Sequence, residues 1–283
     1  MRFSLVVPTL GRTDEVRALL RSLTMQAVRS FEIIVVDQND DNRLDPVIAE
    51  FTDRLSILHL RSPVRLCNHA RNLGARHATG DIITFPDDDC EYTQDVLTQV
   101  DQFFRNDPAT GFLTGSVILP GGTSGRSGRW LKHDSAIDSQ TVWTCLIEFN
   151  LFIRRPLFEI VGGFDETLGP GTRFGSGEGQ DLALRLLSHG ASGRYIHRLR
   201  IIHPDKPVAL NISRAFPYGL GMGRVMRKNR CDLATVARFL LRPIGGALVN
   251  AAKLDFPIAR YYVMTFFGRL AGYRAPSPAA AAT

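Results

Sequence analysis

The chain has 283 residues of ordinary composition, 44% hydrophobic and 22% charged, with 25 Gly and 15 Pro. Such a chain is neither disordered, collagen-like nor a coiled coil, and its length suits one large domain or two moderate ones. The net charge of +6 hides an asymmetry: Arg194–Arg274 carries 15 Lys/Arg against 3 Asp/Glu, and the rest is net acidic. A basic module facing an anionic partner is one reading of that split, and a solvated basic face is the other.

Cys67, Cys90, Cys145 and Cys231 lie too far apart for a C-x-x-C pair, which argues against a zinc knuckle or a thioredoxin-type motif. Their sparse number fits reduced thiols in a cytoplasm. The start, Met1-Arg2-Phe3 and a short apolar run to Pro8, reads as a first strand rather than a signal peptide. No run of about 18 apolar residues occurs, so no transmembrane helix is expected.

In chain order, residues 3–9 (FSLVVPT) predict a buried strand. Thr13 is placed to cap a helix with Val16, Leu19, Leu20 and Leu23 at helical spacing. A strand over 32–37 ends in the acidic turn Asp37–Asp41. A helix near 45–53, a strand near 55–60, a helix over 66–78 and a strand over 81–85 follow, the last running into Pro86-Asp87-Asp88-Asp89. A helix fits 93–105 and a strand 112–119. The stretch 120–128 (PGGTSGRSG) predicts a mobile loop. Beyond it come an apolar segment over 142–153, a Gly-rich loop over 166–177, a helix over 178–189 and a strand over 194–203. Past Pro207 the pattern becomes basic and helical, Pro243-Ile244-Gly245-Gly246 interrupts it, and the tail 275–283 is expected to be disordered.

Alternating strands and helices imply an α/β fold with a mostly parallel sheet covered on both faces. In such sheets ligands sit outside the carboxyl ends of the strands. Here those ends carry Pro8-Thr9, Asp37 and Asp87–Asp89, so polar groups from three strands are expected on one exposed rim. Three consecutive Asp residues make an ordinary solvated turn. At the mouth of a parallel sheet they also suit a hard cation shared with phosphate oxygens.

Asp87-x-Asp89 after DIITFP, preceded by Asn68-His69-Ala70-Arg71-Asn72-Leu73-Gly74-Ala75, resembles the family 2 glycosyltransferases of the GT-A (Rossmann-like) fold. Val6-Val7-Pro8-Thr9, Val35-Val36-Asp37, Asn150–Arg155, Val161-Gly162-Gly163-Phe164-Asp165-Glu166 and Gly177-Glu178-Gly179-Gln180-Asp181-Leu182-Ala183-Leu184-Arg185 match in order. The resemblance covers about residues 3–203. It implies glycosyl transfer with inversion from a nucleoside-diphosphate sugar to an acceptor hydroxyl, uridine being the commonest base in the family. It further implies a role in cell-surface polysaccharide or glycolipid synthesis. A divalent cation, Mg2+ or Mn2+, is implied on Asp89, with Asp87 beside it and His203 as a third ligand; a structural role is the alternative for His203. Pro8, Thr9, Asp37, Arg71, Asp87 and Asp88 are implied in nucleotide-sugar binding, Arg71 being otherwise an exposed helical salt bridge. The family's Glu-Asp-x-Asp reads Glu178-Gly179-Gln180-Asp181 here, so Glu178 is the first choice for catalytic base and Asp181 the second. Both also suit a helix start on dipole grounds alone. Rival functions are a nucleotidyl- or phosphotransferase on the same rim and a sugar-nucleotide-binding scaffold that has lost its base.

The implied division is a nucleotide-sugar half over 1–118, an acceptor half over 119–207 and a basic helical extension over 208–274. In the extension Tyr218–Arg224 is expected to open a basic helix, and Tyr261, Tyr262, Phe266 and Phe267 are framed by Arg260 and Arg269. Basic, aromatic and amphipathic together suggest helices on an anionic membrane surface. Packing onto the catalytic domain or a second subunit is the competing reading. No nucleic-acid reader motif is present. The expected location is cytoplasmic, on the inner face of the membrane if the tail docks there.

Overall fold

The computed structural model describes residues 1–123, 130–205 and 208–276, with side chains from 212 onward in the last stretch. Most of the predicted mobile loop (124–128 of 120–128) and most of the predicted disordered tail (277–283 of 275–283) lie outside the described residues. The chain forms two compact units, 1–164 with 182–205, and 165–181 with 206–283.

In the first unit β1 (Phe3–Thr9), α1 (Asp14–Thr24), β2 (Phe31–Asp37), α2 (Asp45–Ala49), β3 (Ile57–Arg61), α3 (Cys67–Ala75) and β4 (Ile82–Thr84) alternate as predicted. Then come β5 (Glu91–Tyr92), α4 (Val96–Asn106), β6 (Thr110–Ile118), β7 (Ser135–Ile137), β8 (Leu151–Arg154) and α5 (Arg155–Ile160). α6 (Glu178–Ser188), of which 182–188 fall in this unit, and β9 (Ser192–Ile202) complete the series. The predicted apolar segment 142–153 holds two short 3-10 turns and β8. Among the described residues nine strands make one sheet in the order β3-β2-β1-β4-β8-β6-β9-β5, with β7 also paired to β9. β1 to β4 are mutually parallel, and β8, β5 and β7 run antiparallel to their neighbours. β8 enters that way because it threads between β4 and β6 without a crossover helix.

β1 is buried along its whole length, as a run apolar on both faces should be. α1 turns Val16, Leu19, Leu20 and Leu23 inward onto the sheet. Thr13 stands at the N-cap position, but its side chain makes no capping bond. Pro8 sits near the end of this central strand. Pairing with β4 stops opposite Leu5, so beyond it β1 has one neighbour and a missing N–H is tolerated.

The second unit carries α7 (Val208–Lys228), α8 (Leu233–Ala252) and α9 (Phe256–Arg274) with the loop 165–181. α7 begins ten residues before Tyr218, so Tyr218–Arg224 lies inside the helix rather than opening it. Its glycines serve backbone contact. A Cβ on Gly219 would lie 2.6 Å from Thr265 O, and one on Gly223 2.0 Å from Arg269 O. From the α9 side, a Cβ on Gly268 would lie 2.3 Å from Phe216 O and one on Gly272 1.9 Å from Leu220 O. The helices therefore meet main chain to main chain.

α8 runs through Pro243, contrary to the predicted break. A proline withholds the N–H that would bond the carbonyl four residues back, here that of Phe239. Arg269 Nη1 from α9 donates to that carbonyl at 2.5 Å, and its guanidinium lies 5.2 Å from the Phe239 ring centre. The helix continues because a tertiary donor replaces the lost local one.

Candidate active site

The order β3-β2-β1-β4 reverses direction between β1 and β4, which places a crevice at their carboxyl ends. Thr9 ends β1 in register with Asp37, the last residue of β2. Gly11, at φ +76, lets the chain leave β1 sharply and present Arg12. Asp87–Asp89 follow β4 on the same edge.

Arg12 joins two of the three carboxylates. Its Nη1 lies 2.5 Å from Asp88 Oδ1 and 2.8 Å from Asp89 Oδ2. Burial pushes Asp88 up to about 6, against the pull of the Arg12 charge and the Thr9 hydroxyl. Arg12 itself is raised: burial disfavours its charge, but Asp88 and Asp89 outweigh that. The rim is not the exposed cluster expected, since the Asp88 and Asp89 side chains are only 12% and 8% accessible.

Arg71 is almost wholly buried in α3, which removes the exposed-salt-bridge reading. Its Nη2 donates to Asp87 Oδ1 at 2.8 Å, its Nη1 to Asn68 Oδ1 at 3.1 Å, and Glu148 Oε1 is 4.0 Å away. The guanidinium stands 5.3 Å from the ring centre of Phe164. Asn72, one position further on α3, donates to Phe164 O and accepts from Phe164 N. Gly163, at φ +71, leaves room for that clamp, since a Cβ there would sit 2.7 Å from Asn72 Oδ1. Arg185 caps the turn from α6, donating to Val161 O and Gly163 O.

His203 follows β9, its backbone N–H bonded to Ile118 O at the end of β6. Its ring stacks on Phe149 at 4.6 Å between centres. Nε2 lies 3.2 Å from Asp89 Oδ1, and neither buried ring nitrogen makes a hydrogen bond among the described residues. Asp89, Cys90 and His203 offer donor atoms within 4.8 Å of one another. Burial and the neighbouring carboxylates push the Cys90 thiol well up, so it stays protonated. What remains is one carboxylate and one imidazole, a hard and a borderline donor, with a buried ring nitrogen awaiting a partner. That set fits Mg2+ or Mn2+ completed by phosphate oxygens and water.

Asp37 is fully buried. Oδ1 accepts from Asn39 N and Nδ2, and Oδ2 faces His59 Nε2 at 3.1 Å and Arg61 Nη1 at 3.7 Å. Sequence reading missed Arg12, His59, Arg61 and Glu148. The signal for His59 and Arg61 is their period of two on β3 beside β2, with Arg61 opposite Asp37.

In the second unit Glu178 and Asp181 occupy the first turn of α6, both buried. Asp181 is clasped by Lys228 Nζ at 2.9 Å on Oδ2 and Asn229 Nδ2 at 2.9 Å on Oδ1. Lys228 also reaches Asp165 Oδ2 at 2.7 Å. Burial raises Asp165, but Lys228 and Thr167 pull it below the usual carboxylate range.

The family model described as Glycosyl transferase family 2 matches residues 4–158, more than half of the chain. An uncharacterized glycosyltransferase of Haemophilus influenzae is 33% identical over 111 residues, 39% of this chain and 37% of that protein. The GalNAc(5)-diNAcBac-PP-undecaprenol beta-1,3-glucosyltransferase of Campylobacter jejuni is 27% identical over 49% of this chain and 46% of its own length. The chain thus matches less than half the length of either relative. Among solved structures, the mannosyltransferase PcManGT from Pyrobaculum calidifontis in complex with GDP-Man and Mn2+ aligns over 95% of this chain and 87% of its own. Its TM-score is 0.68 at 19% identity.

Proposed function

The chain belongs to glycosyl transferase family 2, and from that premise we propose that it moves a sugar, with inversion, from a nucleoside-diphosphate sugar to an acceptor hydroxyl. The observation that carries the reading is the rim at the β1/β4 switch point, where Asp87, Asp88 and Asp89 meet Arg71, Arg12 and His203. Residues 1–118 form the donor half, with uridine the preferred base, and 119–207 the acceptor half. Pro8, Thr9 and Asp37 are the residues that would meet the nucleoside. Arg71 holds Asp87 through one carboxylate oxygen.

Asp89 and His203, with Asp87 near, are the residues that would hold Mg2+ or Mn2+. When bound, such an ion neutralises the charge that develops on the leaving diphosphate. The PcManGT structure, solved with Mn2+ and GDP-Man, supports that assignment. The acceptor oxygen attacks the anomeric carbon on the face opposite the diphosphate. The new C–O bond forms as the C–O bond to phosphate breaks, and the acceptor proton passes to a carboxylate base. Glu178 is that base. Asp181 has both oxygens engaged by Lys228 and Asn229, a holding role rather than a proton-accepting one.

The acceptor is the hydroxyl of a growing glycan or a lipid-linked sugar, in polysaccharide or glycolipid synthesis at the inner face of a membrane. The Campylobacter relative, named for an undecaprenol-linked acceptor, supports that class. Among the described residues no helix is long and apolar enough to cross a membrane.

Donor turnover tests the assignment. Glu178→Gln should bind donor normally and lose about 10²–10⁴-fold in kcat, while Asp181→Asn should act chiefly on stability. Full turnover in Glu178→Gln would refute the base. Gly179 stands where the family carries a second acid, and donor binding without any turnover in the native chain would identify a scaffold instead.

A further inference from the structure

We propose that the outward face of α8 and the α8–α9 turn form a docking surface for an anionic phospholipid bilayer. This names a partner for the enzyme proposed above but rests on surface chemistry alone. At 100° per residue, Leu233, Ile244, Leu248 and Leu241 fall within an arc of about 80° on α8. The opposite side, Thr235, Val236, Phe239 and Pro243, is buried. Leu233, Leu241 and Leu248 are 80%, 63% and 67% exposed. A helix folded only for its own unit would carry polar residues on that arc. Here it carries leucines, and Arg238 and Arg242, both exposed, border them on one flank.

The turn repeats the pattern. Leu254 adopts φ +60, a conformation that favours glycine, with its side chain 74% exposed, and Phe256 is 64% exposed. The left-handed turn closes α8, with Asp255 N–H on Asn250 O at 2.9 Å, but glycine would make it at less cost and an exposed leucine adds nothing to the fold. Lys253 precedes the pair.

Charge selects the occupant. From Leu233 to Arg274 the exposed basic residues are Arg238, Arg242, Lys253, Arg260 and Arg274, against one acid, Asp255. A second copy meeting this patch through a two-fold axis would set like charges together. An anionic lipid surface supplies the missing sign to the arginines and an interfacial apolar layer to the leucines. Neither α8 nor α9 is apolar enough to span, so the helix lies on the surface.

The test uses the full chain with vesicles of phosphatidylcholine alone or with 30% phosphatidylglycerol. The expected result is sedimentation with the anionic vesicles at low salt, weak binding to the neutral ones, and release by salt. Arg238→Gln with Arg242→Gln should weaken binding by about 25-fold, roughly fivefold per charge. Leu241→Ser with Leu248→Ser should abolish it. Both double variants should keep the native circular dichroism spectrum and native donor hydrolysis without vesicles, so a failed membrane reading stays distinct from a failed catalytic one. Wild-type protein left in the supernatant with anionic vesicles overturns the proposal. So does a stable dimer at micromolar concentration that Leu241→Ser with Leu248→Ser dissociates, because that identifies a second copy as the occupant.

Discussion

Arg269 is expected to be the residue that lets α8 tolerate Pro243. Replacing Arg269 by Leu removes the 2.5 Å bond to the Phe239 carbonyl and the stacking on the Phe239 ring. A hydrogen bond from a charged group is worth about 1.5–3 kcal/mol, and a cation over a ring about 0.5–2. Against that, the burial that drags Arg269 down to about 10 is relieved in the variant. The net cost should be about 2 kcal/mol, which is about a 30-fold faster hydrogen exchange for the middle of α8 if those amides open locally. In a Pro243→Ala background residue 243 supplies its own N–H to the same carbonyl, so the same substitution should cost about 1 kcal/mol less. Exchange in peptides covering 233–252, measured for the four proteins of this cycle, reads the coupling directly. Equal costs of Arg269→Leu in the two backgrounds would refute the account of why the helix continues.

Lys228→Met should cost about 2 kcal/mol at pH 7, below the full figure for a buried pair because Lys228 is 27% accessible. The Asp165 carboxyl is depressed in the folded state, so its contribution is complete above the unfolded value of about 4 and is lost as pH falls through the folded one. Urea unfolding of wild type and variant should therefore differ most at pH 7, and the gap should narrow only once pH falls below the unfolded value toward the depressed folded one. Gly272→Ala should destabilise by at least about 1–3 kcal/mol through contact with the Leu220 carbonyl. Gly245→Ala, with open space around its Cβ, should stabilise by about 0.8, and thermal melts separate the two. Arg12→Ala should tighten Mn2+ binding in the absence of nucleotide by several-fold, because the guanidinium occupies Asp88 and Asp89. Titration followed by the free-Mn2+ signal reads this, and unchanged or weaker binding would count against the rim as the cation site.

The first half of the fold was legible because its signals are local. The apolar run of β1, the spacing of Val16, Leu19, Leu20 and Leu23, and the acidic ends of β2 and β4 each declare themselves within about ten residues. The Asp87–Asp89 rim follows from the strand order alone once the elements alternate. What sequence could not supply was pairing at a distance. Arg71 reads as a surface residue until Phe164 and Glu148 close over it. Pro243 reads as a break until Arg269 is brought to Phe239. Arg12 sits in a loop with no periodicity, and only the crevice makes it a neighbour of Asp88. The antiparallel β5, β7 and β8 are two to four residues long, too short for a pattern to emerge.

The second unit is assembled from two separate stretches of chain, and that bears on how such a protein can be recombined. Gly175 N–H bonds to Pro217 O, Ser176 Oγ–H to Tyr218 O, and Gly221 has no room for a side chain because Ser176 O would lie 2.1 Å from its Cβ. Lys228 and Asn229 then fasten Asp181. The tail is therefore no appendage to be exchanged at a single junction near residue 205. A graft that brought in a foreign tail would strip residues 165–181 of the surface that shapes them, and with it the setting of Glu178. Productive chimeras would have to cross over at both junctions, so that the loop and its helices travel as one inherited block.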